Sequence, residues 1–212
     1  MHPLLNQFRS CGRDVQIAED AYFEHPEAVE IGDRVTLMRG FHLAGRPRLC
    51  RIGSNVTFYP NAFVQGGGRL TIDEHVEFFP GTYISIGDWE TSFVEIGHHC
   101  HFAPNTVLYG WGGLTIRPYC NIAAHVVFAT VGHHDEITHR PMALTGEKAG
   151  PITLEEDVWV AANATITANT RIARGCVIGA NAVVTRDTEP MGLYAGVPAR
   201  RIRDRGPAGN VR

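Results

Sequence analysis

Large apolar residues recur along this chain at steps of six, grouped in blocks of three. The blocks are Ile31, Leu37, Leu43; Ile52, Phe58, Val64; Ile72, Phe78, Ile84; Ile96, Phe102, Leu108; Ile116, Ile122, Phe128; Leu154, Val160, Ile166; and Ile172, Ile178, Val184. Four positions after many of these comes a smaller residue: Val35, Val56, Ala62, Val76, Thr82, Cys100, Thr106, Cys120, Val126, Val158, Ala164, Thr170, Cys176 or Ala182. A period of six fits neither the 3.6 of an amphipathic helix nor the simple alternation of a strand. It predicts short strands separated by tight corners, three strands to a coil, each sending one side chain inward to stack on the next coil. Cys100, Cys120 and Cys176 then read as small buried fillers, an ordinary place for a free thiol.

The register also locates the insertions. From the third position of one block to the first of the next the gaps are 9, 8, 12, 8 and 26 residues before the spacing returns to 6. Every insertion therefore falls on the same corner of the predicted prism. Three short ones turn with glycine (AGRPR, QGGGR, YGWGG), and the long one runs between Phe128 and Leu154. It opens with VGHHDEITHRP, residues 131–141, which holds three histidines and two carboxylates. A long loop in an otherwise regular solenoid predicts function. The residue types alone leave open a metal site, a catalytic base with its supports, or a polar loop, because histidine serves all three.

Composition narrows the class. A chain of 212 residues with 44% hydrophobic content and a formal net charge of -3 suits one domain with a real core. The balance of 19 basic against 22 acidic residues argues against nucleic acid as a partner. No apolar run reaches membrane-spanning length, and the N-terminus lacks the pattern of a secretory leader. Five widely spaced cysteines without a CxxC pair predict neither a disulfide framework nor a thiolate zinc site. Together these predict a cytoplasmic protein with reduced thiols.

The blocks IGDRVT, IGSNVT, VIGANAVV and VWVAANATI resemble the hexapeptide signature of left-handed parallel β-helices over about residues 15–189. The resemblance implies an all-β fold of about seven coils with one extruded loop, residues 129–151, after a segment 1–14 and before a C-terminal extension 190–212. Its left-handed turn would be an exception to the usual crossover hand. The ending, Val158 to Ala162, then Val183 to Asp187, then Ala195 to Ala199 with Arg200 and Arg203, resembles hexapeptide acyltransferases of the maltose, galactoside and polysaccharide O-acetyltransferase group. That family carries its catalytic histidine at a Gly-His step just before the tryptophan block, and the matching residue is His133 after Gly132. Such a base would take the proton of an acceptor hydroxyl during transfer from a thioester.

The resemblance further implies acetyl-CoA as co-substrate, no metal, and a homotrimer with active sites between subunits. It places Trp159, Ala162, Ala180, Thr185, Arg186, Arg200 and Arg203 along the CoA, where small side chains admit a slender arm and arginines suit phosphates. Trp111, His134 and His139 are expected to contact the acceptor, a sugar or polysaccharide. This chain departs from the maltose and galactoside enzymes in entering the repeat by about residue 15, and in bearing Ala103 and Trp111 at the register of their acceptor-binding Asn and Asp. The short N-terminus and the aromatic corner of Trp89, Tyr109 and Trp111 are more similar to enzymes acetylating surface polysaccharides.

Two other acceptor classes remain open, a nucleotide-linked amino sugar and an antibiotic. A rival of another reaction class is a γ-type carbonic anhydrase with a three-histidine zinc site, drawing on His134 and His139 or on His98, His99 and His101. Against it stands the TRDT and AGVPAR ending. A structural hexapeptide module without activity would not need the long loop.

Overall fold

The computed structural model describes residues 3–136 and 139–206. Three parallel sheets form the faces of a left-handed β-helical prism. The first sheet stacks eight strands, from Ser10–Cys11 to Thr170–Ile172, and the third stacks eight, from Tyr22–Phe23 to Val183–Val184. The second runs from Gln16–Ile17 to Val177–Ile178 and continues into Gly192–Ala195 and Arg200–Asp204, ten strands in all. The stack thus contains the seven coils anticipated, one more before them and part of another after them. The early coil follows the same rule, since Cys11, Ile17 and Phe23 also stand six apart, but its first two inward residues are smaller or less buried.

All the inward positions read from the six-residue register are buried, including Thr82, Thr106 and Thr170 among the polar ones. Thr82 and Thr106 escape the cost of a buried hydroxyl by donating to the carbonyls of Phe79 and Ala103 at 2.7 Å each. Inside the prism Phe23, Phe41, Phe58, Phe78 and Phe102 form a column with successive ring centroids 4.4–5.2 Å apart, which Phe8 caps edge-on at 5.0 Å. Cys50, Cys100, Cys120 and Cys176 are buried and unpaired, and burial pushes the Cys50 thiol up to about 12.

The corners between sheets bring the chain into left-handed backbone. Asn61, Asn105, Asn163 and Asn181 hold φ of 58–63° between the second and third sheets, a conformation that asparagine tolerates better than other residues with a side chain. The corner between the third and first sheets accommodates the insertions, as the register requires.

The three faces differ in chemistry. Outward positions of the first sheet carry ion pairs such as Arg51 with Glu30 at 2.9 Å. Those of the third carry Tyr22, His42, Phe63 and Tyr83, rings stacked at 4.4, 4.9 and 6.0 Å, followed by Val107, Val127, Thr165 and Val183. No charged residue interrupts that central row. Among the described residues no helix is long and apolar enough to cross a membrane.

Candidate functional site

The long insertion leaves the prism as a two-stranded hairpin. Val131–His133 runs antiparallel to Glu147–Ala149, with Val131 opposite Ala149, Gly132 opposite Lys148 and His133 opposite Glu147. Its foot is tied to the preceding corner: the amide of Gly150 donates to the carbonyl of Thr130 at 2.9 Å, and the buried Thr130 hydroxyl donates to the carbonyl of Tyr109 at 2.9 Å. The amide of Gly112 in turn donates to that hydroxyl at 3.3 Å. Gly112 lies so close to the hairpin foot that a Cβ on it would fall 2.5 Å from the carbonyl oxygen of Gly150. His133 is thus an exposed residue on a firmly seated stalk.

The neighbouring polar residues have partners of their own. Lys148 pairs with Asp135 and holds its carboxyl below the usual range, while His134 Nδ1 lies 3.3 Å from Glu136 Oε2. Glu136 is also held low, chiefly by a backbone N–H. The acid placed beside His133 is therefore Glu147, because residues opposite each other in an antiparallel pair point to one side with Cβ atoms about 5 Å apart. Sequence reading missed Glu147, since fourteen residues separate it from His133 and only the strand pairing joins them. His139 is exposed on the same insertion, and its neighbours 137 and 138 lie outside the described residues.

Trp111 lies in the corner that seats the hairpin, but its indole turns back toward the previous coil. Its Nε1–H donates to Ser85 Oγ at 3.1 Å and its ring meets Trp89 edge-on at 5.2 Å. The anticipated CoA residues fall on two corners and an edge. Ala162 and Ala180 precede the left-handed Asn163 and Asn181 between the second and third sheets, and Thr185 and Arg186 are exposed just past Val183–Val184. These two corners flank the uncharged third face.

The last strand, Arg200–Asp204, turns back antiparallel on Gly192–Ala195, and its arginines divide into two kinds. Arg201 is fixed by Asp204 at 2.7 Å and by the carbonyls of Glu189 and Pro190, and Arg205 by Asp157 at 2.7 Å. The guanidinium groups of Arg200 and Arg203 instead donate to the main-chain carbonyls of Ala199 and Asp204, at 2.9 and 3.0 Å. Their remaining N–H donors face solvent.

Trp159 is 52% exposed on the second face and is part of a groove of about 580 Å³ with Asn121, Asp157, Val158, Val177 and Arg205. A smaller hollow of about 260 Å³ adjoins it across the same Asn121 and Trp159, bounded also by Phe79, His101, Ala103 and Ala123. Of these residues the sequence singled out Trp159 for the donor, Val158 in the tryptophan block, Ala103 at the acceptor register, His101 in the zinc reading and Arg205 in the basic tail, and it did not join them into one groove. The others follow from the register, because the residue before each inward position of the second sheet points outward: Glu77, His101, Asn121, Trp159, Val177. The histidines of the rival zinc reading are dispersed, with His101 on this face, His98 and His99 at a corner, and His134 and His139 on the hairpin. Among the described residues no group of three or more His, Cys, Asp or Glu side chains is arranged to hold a metal ion.

Comparison with known proteins agrees with this architecture. Residues 151–186 match the bacterial transferase hexapeptide (six repeats) family. The chain is 32% identical over 157 residues to a chloramphenicol acetyltransferase of Agrobacterium fabrum, covering 64% of this chain and 73% of that protein. It is 31% identical over 135 residues to the galactoside O-acetyltransferase of Escherichia coli, covering 63% of each, so the match spans less than two thirds of that enzyme. Among solved structures, an N-acyltransferase from Bacillus cereus, AntD, in complex with dTDP-4-amino-4,6-dideoxyglucose and coenzyme A, superposes with a TM-score of 0.55 at 21% identity over 95% of this chain and 87% of that one. The last likeness is one of fold. The fold and these relatives define a hexapeptide-repeat transferase. This chain belongs to the hexapeptide-repeat acyltransferase family.

Proposed function

We propose that the protein is an acetyl-CoA-dependent acetyltransferase that esterifies a hydroxyl of a sugar, in a surface polysaccharide or its precursor. The observation that carries the reading is His133, held exposed at the end of the hairpin strand opposite Glu147, on the stalk that precedes the tryptophan block. His133 would remove the acceptor proton as its oxygen attacks the thioester carbonyl, and return that proton to the departing thiolate, a base contribution of about 10²- to 10⁴-fold. Glu147 would hold the imidazole. Arg200 and Arg203, with donors not occupied by carboxylates, suit the phosphates of the donor. Ala162, Ala180 and Thr185 line the path of its arm, with Arg186 beside them.

His133 does not line the groove that contains Trp159. The uncharged third face, flanked by the corners of Ala162, Ala180, Thr185 and Arg186, and the exposed Met142 and Leu144 at 57% and 67% on the hairpin, support a homotrimer in which the hairpin of one copy meets the donor site of the next. A second acceptor class, an antibiotic, is favoured by the match to the chloramphenicol acetyltransferase.

A thiol-release assay with acetyl-CoA decides among them, run with galactosides, maltose, polysialic acid, an amino sugar nucleotide and chloramphenicol. Turnover confined to sugar hydroxyls supports the proposal, turnover with chloramphenicol alone supports the second class, and no thiol release with any acceptor rejects both.

A further inference from the structure

The inward column at the corner between the first and second sheets runs Val76, Cys100, Cys120, Val158, Cys176 on successive coils, all buried. Cys100 and Cys120 are next to each other in it. His101, which follows one, pairs in register with Asn121, which follows the other, and the His101 amide donates to the Cys120 carbonyl at 3.1 Å. The remaining cysteines have no such neighbour. Val158 separates Cys176 from Cys120, Cys50 stacks between Val29 and Leu70 on the first sheet, and Cys11 pairs with Ile31. Adjacent strands stand about 4.8 Å apart, which lies within the Cα separation of about 4.4–6.8 Å that a disulfide spans. Cys100 Sγ lies 3.4 Å from the carbonyl oxygen of Arg117, and Cys120 Sγ 3.2 Å from that of Glu155, in each case a carbonyl of the next coil. The Cys100 thiol therefore already leans toward the coil of Cys120, and one side-chain rotation of Cys120 turns its sulfur back to meet it.

We infer that Cys100 and Cys120 form a peroxide-sensitive thiol pair that closes into a disulfide between neighbouring coils. Hydrogen bonding from the Cys120 thiol is the first cause that holds Cys100 below the ordinary thiol range, and the same contact pushes Cys120 up, so Cys100 is the attacking sulfur. The Cys100 thiolate attacks one oxygen of hydrogen peroxide, the O–O bond breaks, and a sulfenic acid forms as hydroxide leaves. The Cys120 sulfur then attacks the Cys100 sulfur, its proton passes to the departing oxygen, and water leaves as the S–S bond forms. In all, two thiols lose two hydrogens and one peroxide becomes two waters. Both sulfurs are buried, so an oxidant near the size of water reaches them as the corner opens locally. The bridge requires Cβ atoms about 4 Å apart, closer than the strand spacing, so it is one that a mild reductant reopens. It would tie the coil that runs on into the His133 hairpin to the coil before it. Nothing in this inference depends on acetyl transfer.

The test exposes the reduced, folded full chain to hydrogen peroxide, alkylates the remaining thiols after denaturation, and measures intact mass and peptide linkage without reductant. The parent should lose two of its five free thiols and two hydrogens, yield one peptide joining Cys100 to Cys120, and regain all five thiols with dithiothreitol. Its unfolding midpoint should rise by several degrees on oxidation, because the bridge closes a 20-residue loop in the unfolded chain. Cys100→Val and Cys120→Val, which carry the residue that Val76 and Val158 supply in the same column, should fold but show neither the linked peptide nor the shift. Cys50→Val and Cys176→Val should keep both. Five free thiols after peroxide, a bridge to any other cysteine, a bridge that appears only in urea, or conversion of Cys100 to a sulfinic acid without linkage overturns the inference.

Discussion

His133 and Glu147 face each other across the antiparallel pair of the hairpin, the last residue of one strand opposite the first of the other. Asp135 and Glu136, nearer in sequence, are engaged by Lys148 and His134. Glu147→Gln should therefore lower kcat roughly 10-fold, the worth of about 1.4 kcal/mol in orienting the base, with acceptor KM unchanged. Asp135→Asn should leave kcat within a factor of about 2, since its partner is a lysine. Steady-state kinetics of the two variants separates these outcomes; equal losses would remove Glu147 from its role.

The hairpin is aimed by its foot. Gly112→Ala would drive a Cβ into the backbone of Gly150, where nothing flexible can yield. Overpacking of this kind costs about 1–3 kcal/mol. Chemical denaturation should register that loss, and activity should fall beyond what the unfolded fraction explains, because the strand that Gly150 follows is paired with the strand of His133.

The two kinds of arginine give separable phenotypes. Replacing Arg200 and Arg203 together by Ala should raise KM for acetyl-CoA, with the difference from the parent shrinking at high salt, and leave the unfolding midpoint in place. Arg201→Ala should instead lower the midpoint, since that side chain ties Asp204, Glu189 and Pro190 together. Initial rates at two ionic strengths and a melting curve for each variant suffice to check this.

The prism was legible because its side chains repeat: one large inward residue every six fixes coil, face and corner at once, and every position so read is buried. The coil before it was harder to see because Cys11 and Ile17, near the open end, are only partly buried and carry a weaker pattern. His133 was singled out by its place before the tryptophan block. Glu147 was not, and Trp159 and His101 were named without the row that joins them to Glu77, Asn121 and Val177, because strand pairing brings these residues together across 14 to 38 residues and no local spacing signals it. Trp111 shows a further limit, for the sequence placed it at the right corner but could not tell that its indole donates to Ser85.

Acid should weaken the C-terminal coils through Glu155. Glu155 is held below the ordinary range, first by the backbone N–H of Arg174 and then by Arg171, so its folded pKa lies below its unfolded one. Its contribution is present above about pH 4.5 and is lost as pH falls through the folded value. Glu155→Gln should flatten that part of the stability profile, leaving a smaller difference between neutral pH and about pH 3.5 in urea denaturation than the parent shows.

The central claim is that His133 is the base for acetyl transfer. Its most direct test is thiol release from acetyl-CoA by the parent and by His133→Ala at saturating donor, with an acceptor that the parent turns over. The account predicts one thiol per acetylated acceptor in the parent and a kcat lower by about 10²- to 10⁴-fold in the variant, with the unfolding midpoint unchanged. Parent-like turnover in His133→Ala would contradict it.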